Sequence, residues 1–236
     1  MAIGTFQAEV SAVKDLTHDV RELELTLREP RELFFKAGQF ISFEVPKEGL
    51  PYPLTRPYSI ASPPSSPHRI TLVFNLVSGG PGSTYLYGLK EGDSTTFKGP
   101  AGSFFLRDDV TRHLLFVATG TGIAPFRSML LAQLERATGQ PLTLFWGLRY
   151  NRDLYYQEEL AEWAARYPKF SFVTTLSQPD QDWRGPKGRV TSLVQGRVTS
   201  VGNLAVYLCG NGDMIKEVTE LIQGKGLCPI YREKYY

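Results

Sequence analysis

The stretch Arg56-Pro57-Tyr58-Ser59 decides the interpretation of this sequence, together with the glycine-rich stretch Gly79-Gly80-Pro81-Gly82-Ser83-Thr84. The Arg56 guanidinium has the planar fork that binds a diphosphate through paired hydrogen bonds. Tyr58 offers a flat aromatic face, and Ser59 places a short hydroxyl beside it. The glycine-rich stretch runs into Ser-Thr-Tyr-Leu, which predicts a helix start whose backbone N–H groups attract phosphate.

A single ligand could bind to both of these stretches. A flat ring against Tyr58 and a diphosphate between Arg56 and the loop of Gly82, Ser83 and Thr84 describe a flavin dinucleotide, FAD. The alternative is a proline-containing strand end followed by a glycine turn that binds nothing. Either stretch alone leaves both interpretations open.

Composition predicts a globular protein of one large or two small domains. The chain has 236 residues, of which 42% are hydrophobic and 21% charged, which is ordinary for a globular protein. A formal net charge of +2 argues against a dedicated nucleic-acid binder. No run of apolar residues approaches the length of a membrane span. The start, Met-Ala-Ile-Gly-Thr-Phe, lacks the signature of a signal peptide, so we expect a cytoplasmic protein.

The cysteine count limits the redox chemistry. The chain has two cysteines, Cys209 and Cys228, whereas a plant-type iron–sulfur cluster or a four-cysteine zinc site needs four thiolates. No metal site is therefore predicted. Redox chemistry would come from an organic cofactor or from a partner protein.

The first part of the chain, residues 5–105, has the pattern of a β-rich domain. Alternating apolar and polar residues predict strands over 6–10, 20–27, 39–45 and 70–77. A helix is expected from near Ser83 to before Gly92, and a loop over Gly99–Phe104. Several short strands separated by proline and glycine turns predict an antiparallel β-barrel. We assign it to residues 1–107.

The pattern changes after residue 107. Continuous apolar runs over 113–118, 142–147, 170–175 and 205–210 predict buried parallel strands. Helical spacing follows each of them, over 126–136, 154–167, 190–194 and 213–223. This alternation predicts a doubly wound α/β domain over residues 108–236.

Ligands of such sheets bind at the carboxyl ends of the strands, and three of these ends carry candidate residues. Thr119-Gly120-Thr121-Gly122-Ile123-Ala124-Pro125 is suited to a diphosphate, although Pro125 stands where a third fingerprint glycine would be. Arg149 faces either a ribose or phosphate, or solvent. Cys209, before the turn Gly210-Asn211-Gly212-Asp213-Met214, either touches a reacting ring or is a buried small hydrophobe.

The chain ends Tyr231-Arg232-Glu233-Lys234-Tyr235-Tyr236. Aromatic ends of this kind dock against the rest of the molecule. Tyr235 would cover the face of a flavin ring opposite Tyr58, or would dock onto the barrel.

These motifs, in this order and spacing, resemble the ferredoxin–NADP reductase family over essentially the whole chain. The resemblance implies a flavin-binding barrel followed by a nicotinamide-binding α/β domain. Arg56 and Ser83 would lie at the FAD diphosphate, Tyr58 would stack on the isoalloxazine, and Ser59 would lie near the reactive flavin nitrogen. Tyr236 extends one residue beyond the plant-type terminus.

In the second domain, the resemblance places Thr121 between flavin and nicotinamide and Cys209 near the hydride-bearing carbon, with Glu233 orienting or protonating nearby groups. The catalytic residues predicted in this way are Ser59, Cys209, Glu233 and Tyr235. The predicted cofactor-binding residues are Arg56, Pro57, Tyr58, Ser59, Asn75, Val77, Gly82, Ser83, Thr84, Thr121, Gly122, Pro125, Arg149, Ser177, Gln178, Cys209, Gly210, Met214 and Tyr235.

The nicotinamide preference is left open between NADH and NADPH. Family members that prefer NADPH often carry an arginine after the serine that follows the third strand, whereas this chain has Ser177-Gln178. The segment Asp182-Trp183-Arg184-Gly185 resembles NADH-using relatives. Arg149, Lys187 and Arg189 could still receive a phosphate, so the lean toward NADH is slight.

The resemblance implies an FAD-dependent NAD(P)H oxidoreductase that passes single electrons to ferredoxin, flavodoxin or another iron–sulfur protein. One alternative is a reductase of free flavin or other small acceptors. A second is a non-catalytic binding module that keeps only the fold, although Tyr58, Ser59 and Cys209 argue against it.

Overall fold

The computed structural model describes residues 3–46, 49–109, 111–136 and 138–235. Its chain divides into two compact units, Met1–Leu106 with Ala124–Ala132, and Arg107–Ile123 with Gln133–Tyr236. The boundary that we predict at residue 107, between an FAD-binding and an NAD(P)-binding domain, stays a prediction. Tyr236, which is part of the predicted terminus, lies outside the described residues.

The first unit contains an antiparallel sheet of six strands, called the barrel sheet here. The strands are β1 (Gly4–Asp15), β2 (Val20–Glu29), β3 (Phe40–Val45), β4 (Leu54–Ser59), β5 (Arg69–Asn75) and β6 (Ser94–Ala101). Their order is β4-β3-β6-β1-β2-β5. A bridge between Ile60 and Leu72 joins the two edges, and the Ala61 N–H donates to the Thr71 carbonyl at 2.8 Å. The predicted antiparallel barrel is confirmed.

The period of two in the strands explains the core of this unit. In β2, Leu23, Leu25 and Leu27 are buried while the residues between them are partly exposed. They share the interior with Phe43 and Phe97, whose ring centroids lie 6.0 Å apart. Helix α1 (Pro81–Gly88) adds Leu86 to the same cluster.

Two strands of the barrel sheet were not predicted, because prolines and glycines interrupt them. The loop expected over Gly99–Phe104 was wrong for residues 99–101, which end β6. Gly99 pairs with Gly4 there, and a Cβ at Gly99 would lie 2.8 Å from the Cγ2 of Ile41, so glycine serves close packing and not a turn. Strand β4 tolerates Pro57 because it lies at the edge of the sheet.

The second unit contains a parallel sheet of five strands, called the parallel sheet here. The strands are β7 (His113–Thr119), β8 (Leu142–Leu148), β9 (Phe170–Leu176), β10 (Leu204–Gly210) and β11 (Ile230–Lys234), in the order β11-β10-β7-β8-β9. The helices between them are α2 (Ile123–Arg136), α3 (Gln157–Arg166), α4 (Val190–Arg197) and α5 (Gly212–Gln223). The predicted α/β fold is confirmed. The strand order reverses at the neighbours β7 and β10, and α/β proteins bind ligands at such a switch point.

Two details of the second part of the chain differ from expectation. The helix predicted over 154–167 begins at Gln157, because Tyr156 has a φ of 55°, which a right-handed helix does not contain. The terminal residues do dock, but as a fifth parallel strand, β11, beside β10. Residues 124–132 of α2 belong to the first unit, where Phe126 packs on Phe104 with 6.0 Å between centroids.

No helix among the residues that the structure describes is long and apolar enough to cross a membrane.

Candidate functional site

The structure brings the two decisive stretches of the first unit together. Gly82, in the first turn of α1, packs directly on β4: a Cβ there would lie 2.6 Å from the Tyr58 hydroxyl oxygen and 2.8 Å from the Arg56 Cγ. Glycine is therefore required at this position for the helix start to approach the strand. The Arg56 Cβ and Cγ lie next to that helix start, and the Nη1 of its guanidinium donates to the Thr55 carbonyl at 2.9 Å.

The Ser83 hydroxyl has an internal role that the sequence does not reveal. Its oxygen accepts a hydrogen bond from the Val77 N–H at 3.0 Å and donates to the Gly80 carbonyl at 3.1 Å. The residue is 6% exposed. The side chain thus holds the glycine-rich turn, and what Ser83 can offer to a diphosphate is its backbone N–H at the start of α1.

The Tyr58 ring is fixed by aromatic neighbours. It meets Phe43 and Phe74 edge-to-face, with centroid distances of 5.9 and 5.7 Å. Ser59, the next residue, is buried at the end of β4. The other residues predicted for this site lie on β4, β5 and α1 or directly after them. Pro57 is exposed on β4 and Thr84 is exposed on α1. Asn75 is the last residue of β5, and Val77, two residues later, is half-buried.

In the second unit, two strand ends meet so closely that only glycine fits between them. A Cβ at Gly122 would overlap the carbonyl oxygen of Cys209, and one at Gly210 would overlap the Thr119 hydroxyl. Gly210 also has a φ of 129°, in the region that favours glycine. The predicted Thr121–Gly122 and Cys209–Gly210 sites are therefore two sides of one site. Pro125, in the first turn of α2, belongs to the first unit.

The chain terminus completes this site. Cys209 and Glu233 are register partners in β10 and β11, and the Tyr235 N–H donates to the Gly210 carbonyl at 2.9 Å. Cys209 is 0% exposed. Burial, with the nearby negative charge of Glu233, raises the pKa of its thiol well above the usual value, against an opposing hydrogen bond from the Tyr235 side chain. The thiol is therefore protonated at neutral pH.

Asn211 is a residue of this site whose role sequence reasoning missed. Its side-chain oxygen accepts hydrogen bonds from the N–H groups of Asp213 and Met214 at 2.8 and 3.2 Å and so caps α5. Its own N–H donates to the Thr119 hydroxyl at 2.9 Å. An asparagine before an amphipathic helix is a capping signal that could have identified it.

Arg149, Ser177 and Gln178, on which the predicted choice between NADH and NADPH depends, also lie side by side. The N–H of Ser177 donates to the Leu148 carbonyl at 3.0 Å, and that of Gln178 to the Arg149 carbonyl at 2.8 Å. Arg149, Ser177 and Gln178 are all exposed. The following loop is held by Asn151, whose side-chain oxygen accepts from the Asp180 N–H at 2.9 Å.

Two further residues that sequence reasoning missed lie behind the Thr119–Gly122 turn. The indole N–H of Trp146 and the hydroxyl of Tyr155 both donate to the carbonyl oxygen of Gly120, at 3.0 and 3.2 Å. No motif of the sequence pointed to them, because aromatic residues in a buried strand and loop are typical of a hydrophobic core.

Comparison with known proteins agrees with this geometry. Residues 7–106 match the family model of an oxidoreductase FAD-binding domain, and residues 116–220 that of an oxidoreductase NAD-binding domain. Ferredoxin–NADP reductase B of Sorangium cellulosum is 34% identical over 226 residues, which cover 93% of this chain and 92% of that protein. The chain belongs to the ferredoxin–NADP reductase family.

Other members of the ferredoxin–NADP reductase family are longer than this chain. The reductase component of phenol 2-monooxygenase from a Pseudomonas species is 36% identical over 99% of this chain, which spans 66% of that protein. A solved structure of a cytochrome P450 reductase from Amycolatopsis superposes with a TM-score of 0.88 at 29% identity, covering 98% of this chain and 70% of that one.

The residues present fit the two cofactors of the ferredoxin–NADP reductase family. In the first unit, the Arg56 side chain packs through its Cβ and Cγ against the first turn of α1 at Gly82, and that glycine keeps the approach clear of a side chain. In the second unit, the Gly120–Gly122 turn leads directly into a helix start. FAD and nicotinamide binding are thus confirmed for the chain as a whole, which is an FAD-dependent NAD(P)H oxidoreductase. The roles of single side chains stay predictions.

Proposed function

We propose that this reductase takes reducing equivalents from NADH and passes them one at a time to a separate electron-transfer protein, an iron–sulfur protein or a flavodoxin. The observation that carries the proposal is the convergence of Gly122, Cys209 and Glu233 at the carboxyl ends of neighbouring parallel strands. Bound FAD supplies the conversion between two-electron and one-electron transfer.

The residues of the first unit would hold the flavin. Arg56 would form charge-assisted hydrogen bonds with the diphosphate, and the first N–H groups of α1 would bind its other oxygens. Tyr58, fixed by Phe43 and Phe74, would support the isoalloxazine ring. Ser59 would direct its hydroxyl to the reactive flavin nitrogen.

The residues of the second unit would orient the nicotinamide. The Thr119–Gly122 turn would bind its diphosphate, and Cys209 would contact the ring near the reacting carbon. Because the Cys209 thiol stays protonated, its contribution is shape and polarizability, not basicity. Hydride transfer requires the two rings to approach near van der Waals contact, so small errors in this contact slow the reaction.

A protein acceptor is favoured by the kinds of relatives found. They include an electron transfer component of toluate 1,2-dioxygenase from Pseudomonas putida, 33% identical over 98% of this chain. Free flavin or another small acceptor is the second candidate. Turnover of the purified yellow protein with ferredoxin, with flavodoxin and with free FMN separates the two: the proposal fails if FMN is reduced far faster than any protein acceptor.

The preference for NADH rests on the end of β9. Gln178 stands beside Arg149 where NADPH-preferring members carry an arginine, and the adjoining loop carries the acidic residues Asp180 and Asp182. Carboxylates there repel a 2′-phosphate. Comparing kcat/KM for NADH and NADPH tests this preference, and an equal or higher value for NADPH contradicts it.

We also propose a cytoplasmic location, where NADH is available and thiols stay reduced. Both cysteines are free, as expected in a reducing compartment. Cell fractionation with an antibody against the native protein is the test.

A further inference from the structure

Two side chains anchor the Gly120 carbonyl in the turn that follows β7. Two donors from different segments converge on its oxygen: the Trp146 indole N–H from β8 at 3.0 Å, and the Tyr155 hydroxyl from the loop before α3 at 3.2 Å. Both side chains are buried, Trp146 at 0% and Tyr155 at 6% exposure. Their rings pack edge-to-face with centroids 4.7 Å apart, so each holds the other in place.

We propose that Trp146 and Tyr155 are positioning residues for nicotinamide dinucleotide binding, acting through the Gly120–Thr121 peptide. A trans peptide holds its C=O and N–H in opposite directions. Fixing the Gly120 oxygen toward the two aromatic residues therefore fixes the Thr121 N–H away from them. The inference rests on the proposed function, in which this turn binds the diphosphate of the nicotinamide cofactor.

The backbone of the turn explains why anchoring matters. Gly120 has a φ of 52°, and a Cβ there would meet no atom within 4 Å. Glycine is thus present for its conformation and not for space. Glycine also has the greatest freedom to leave that conformation. Two hydrogen bonds to its carbonyl remove this freedom before the cofactor arrives, which lowers the entropic cost of binding.

The segment that carries Tyr155 is itself built for this placement. Tyr156 is the one described residue other than glycine with a positive φ, 55°. Side chains rarely adopt this conformation, and strained residues cluster where geometry serves function. The turn at Tyr156 separates the buried Tyr155 from α3, and the two tyrosine rings pack at 5.2 Å.

The test is Tyr155→Phe, which removes one hydroxyl and keeps the ring. Calorimetric titration should show about fivefold weaker binding of NAD⁺ and of ADP-ribose, which share a diphosphate, because one neutral hydrogen bond is lost. Binding of AMP, which has no diphosphate, should not change. Flavin content and kcat at saturating NADH should also stay as in the wild type. Trp146→Phe should weaken the same two ligands, and the double variant should lose less than the sum, since both donors act on one oxygen.

Tyr207→Phe is the matched control. Tyr207 is fully buried in β10 of the parallel sheet, and its hydroxyl accepts a hydrogen bond from the Arg107 N–H at 3.0 Å. Tyr207→Phe therefore also removes a hydrogen bond of a buried phenol. Its affinity for NAD⁺ should equal that of the wild type. Equal weakening in Tyr155→Phe and Tyr207→Phe, equal loss of AMP binding, or unchanged NAD⁺ binding in Tyr155→Phe each overturns the inference.

Gly122→Ala distinguishes failure of the inference from failure of the proposed function. A side chain there overlaps the Cys209 carbonyl and so displaces the turn itself. If Gly122→Ala loses NAD⁺ binding while Tyr155→Phe does not, the turn is the diphosphate site and the anchoring role is wrong. If folded, flavin-loaded Gly122→Ala binds NAD⁺ like the wild type, the turn is not the diphosphate site, and both fail.

Discussion

Cys209 and Glu233 lie directly opposite each other in the neighbouring parallel strands β10 and β11. The pairing continues through the hydrogen bond from the Tyr235 N–H to the Gly210 carbonyl. Residues far apart in the sequence are thereby held at one strand end with backbone precision. The terminal segment is consequently an integral strand of the parallel sheet, beside the proposed nicotinamide site.

Replacing Cys209 with alanine should slow flavin reduction by NADH about tenfold, equivalent to ~1.4 kcal/mol of barrier. The reason is that a fully buried side chain, which we propose contacts the reacting ring, would be shortened, leaving a gap. FAD content should not change, because Cys209 lies in the other unit from Arg56 and Tyr58. Stopped-flow absorbance of the flavin is the measurement, with Cys228→Ala as the control. A wild-type rate at saturating NADH would make Cys209 an ordinary core residue.

The two thiols should differ in their reaction with a disulfide reagent. Cys209 is fully buried and its pKa is raised well above the usual value, whereas Cys228 is half-buried with a pKa raised chiefly by partial burial. Since the thiolate is the reactive species, Cys228 should react first and Cys209 only on unfolding. Labelling followed by peptide mass analysis checks the order, and early labelling of Cys209 contradicts the burial argument.

Arg56→Ala should weaken FAD binding by about 1.5–3 kcal/mol, the range for a charge-assisted hydrogen bond to an ionised partner. The measurement is fluorescence titration of apoprotein with FAD. Arg28→Ala is the matched control, because Arg28 is an arginine of the same sheet that pairs with Glu9 at 2.8 Å and lies outside the proposed site. If both variants bind FAD equally well, Arg56 does not hold the diphosphate.

Tyr235→Ser should tighten binding of NAD⁺ and NADP⁺. The Tyr235 side chain is hydrogen-bonded to Cys209. If the nicotinamide contacts Cys209 as proposed, this tyrosine must move before the nicotinamide can bind. A hydrogen bond of this kind contributes roughly 0.5–1.5 kcal/mol, which the cofactor would no longer need to displace. Titration of the oxidised protein, followed by flavin absorbance, is the check.

Deletion of Tyr236 alone is the control for that variant and should change affinity much less. The opposite pattern, with tighter binding on deletion of Tyr236 and none in Tyr235→Ser, would assign the wrong tyrosine. Turnover of Tyr235→Ser should fall even as KM falls, because product release becomes limiting.

The folded protein should lose stability on mild acidification through His113. Burial lowers the pKa of this histidine, so the unfolded chain takes up a proton at a higher pH than the folded one. Stability is therefore full above the unfolded pKa of about 6.5 and falls as pH drops from there toward the folded pKa. His113→Gln should flatten the dependence of unfolding free energy on pH between about 7 and 5. The unfolding free energy is measured by urea titration at each pH. If its dependence on pH is the same in His113→Gln as in the wild type, other groups cause the effect.

The sequence predicted the fold well where hydrophobic periodicity is strong, as in β2 and β10. It failed where proline and glycine serve packing inside strands, as at Pro57 in β4 and Gly99 in β6, since a single sequence does not distinguish an edge or a close contact from a turn. The candidate sites could be predicted because their glycines and Arg56 occur in several motifs whose order along the chain is informative, and the roles of the single side chains stay predictions. Trp146, Tyr155 and Asn211 were missed because their roles depend on which backbone atom they reach, and that follows from tertiary structure alone.

Strand β4 carries Arg56, Tyr58 and Ser59 and lies at the rim of the barrel sheet, paired along its length with β3. A rim strand separates from its sheet more readily than an interior one. A dinucleotide bound between β4 and the start of α1 would hold this edge strand against the rest of the unit. The fraction of protein with bound dinucleotide and the resistance of the first unit to proteolysis are therefore thermodynamically linked. Flavin absorbance and protease resistance of the purified protein should accordingly rise and fall together.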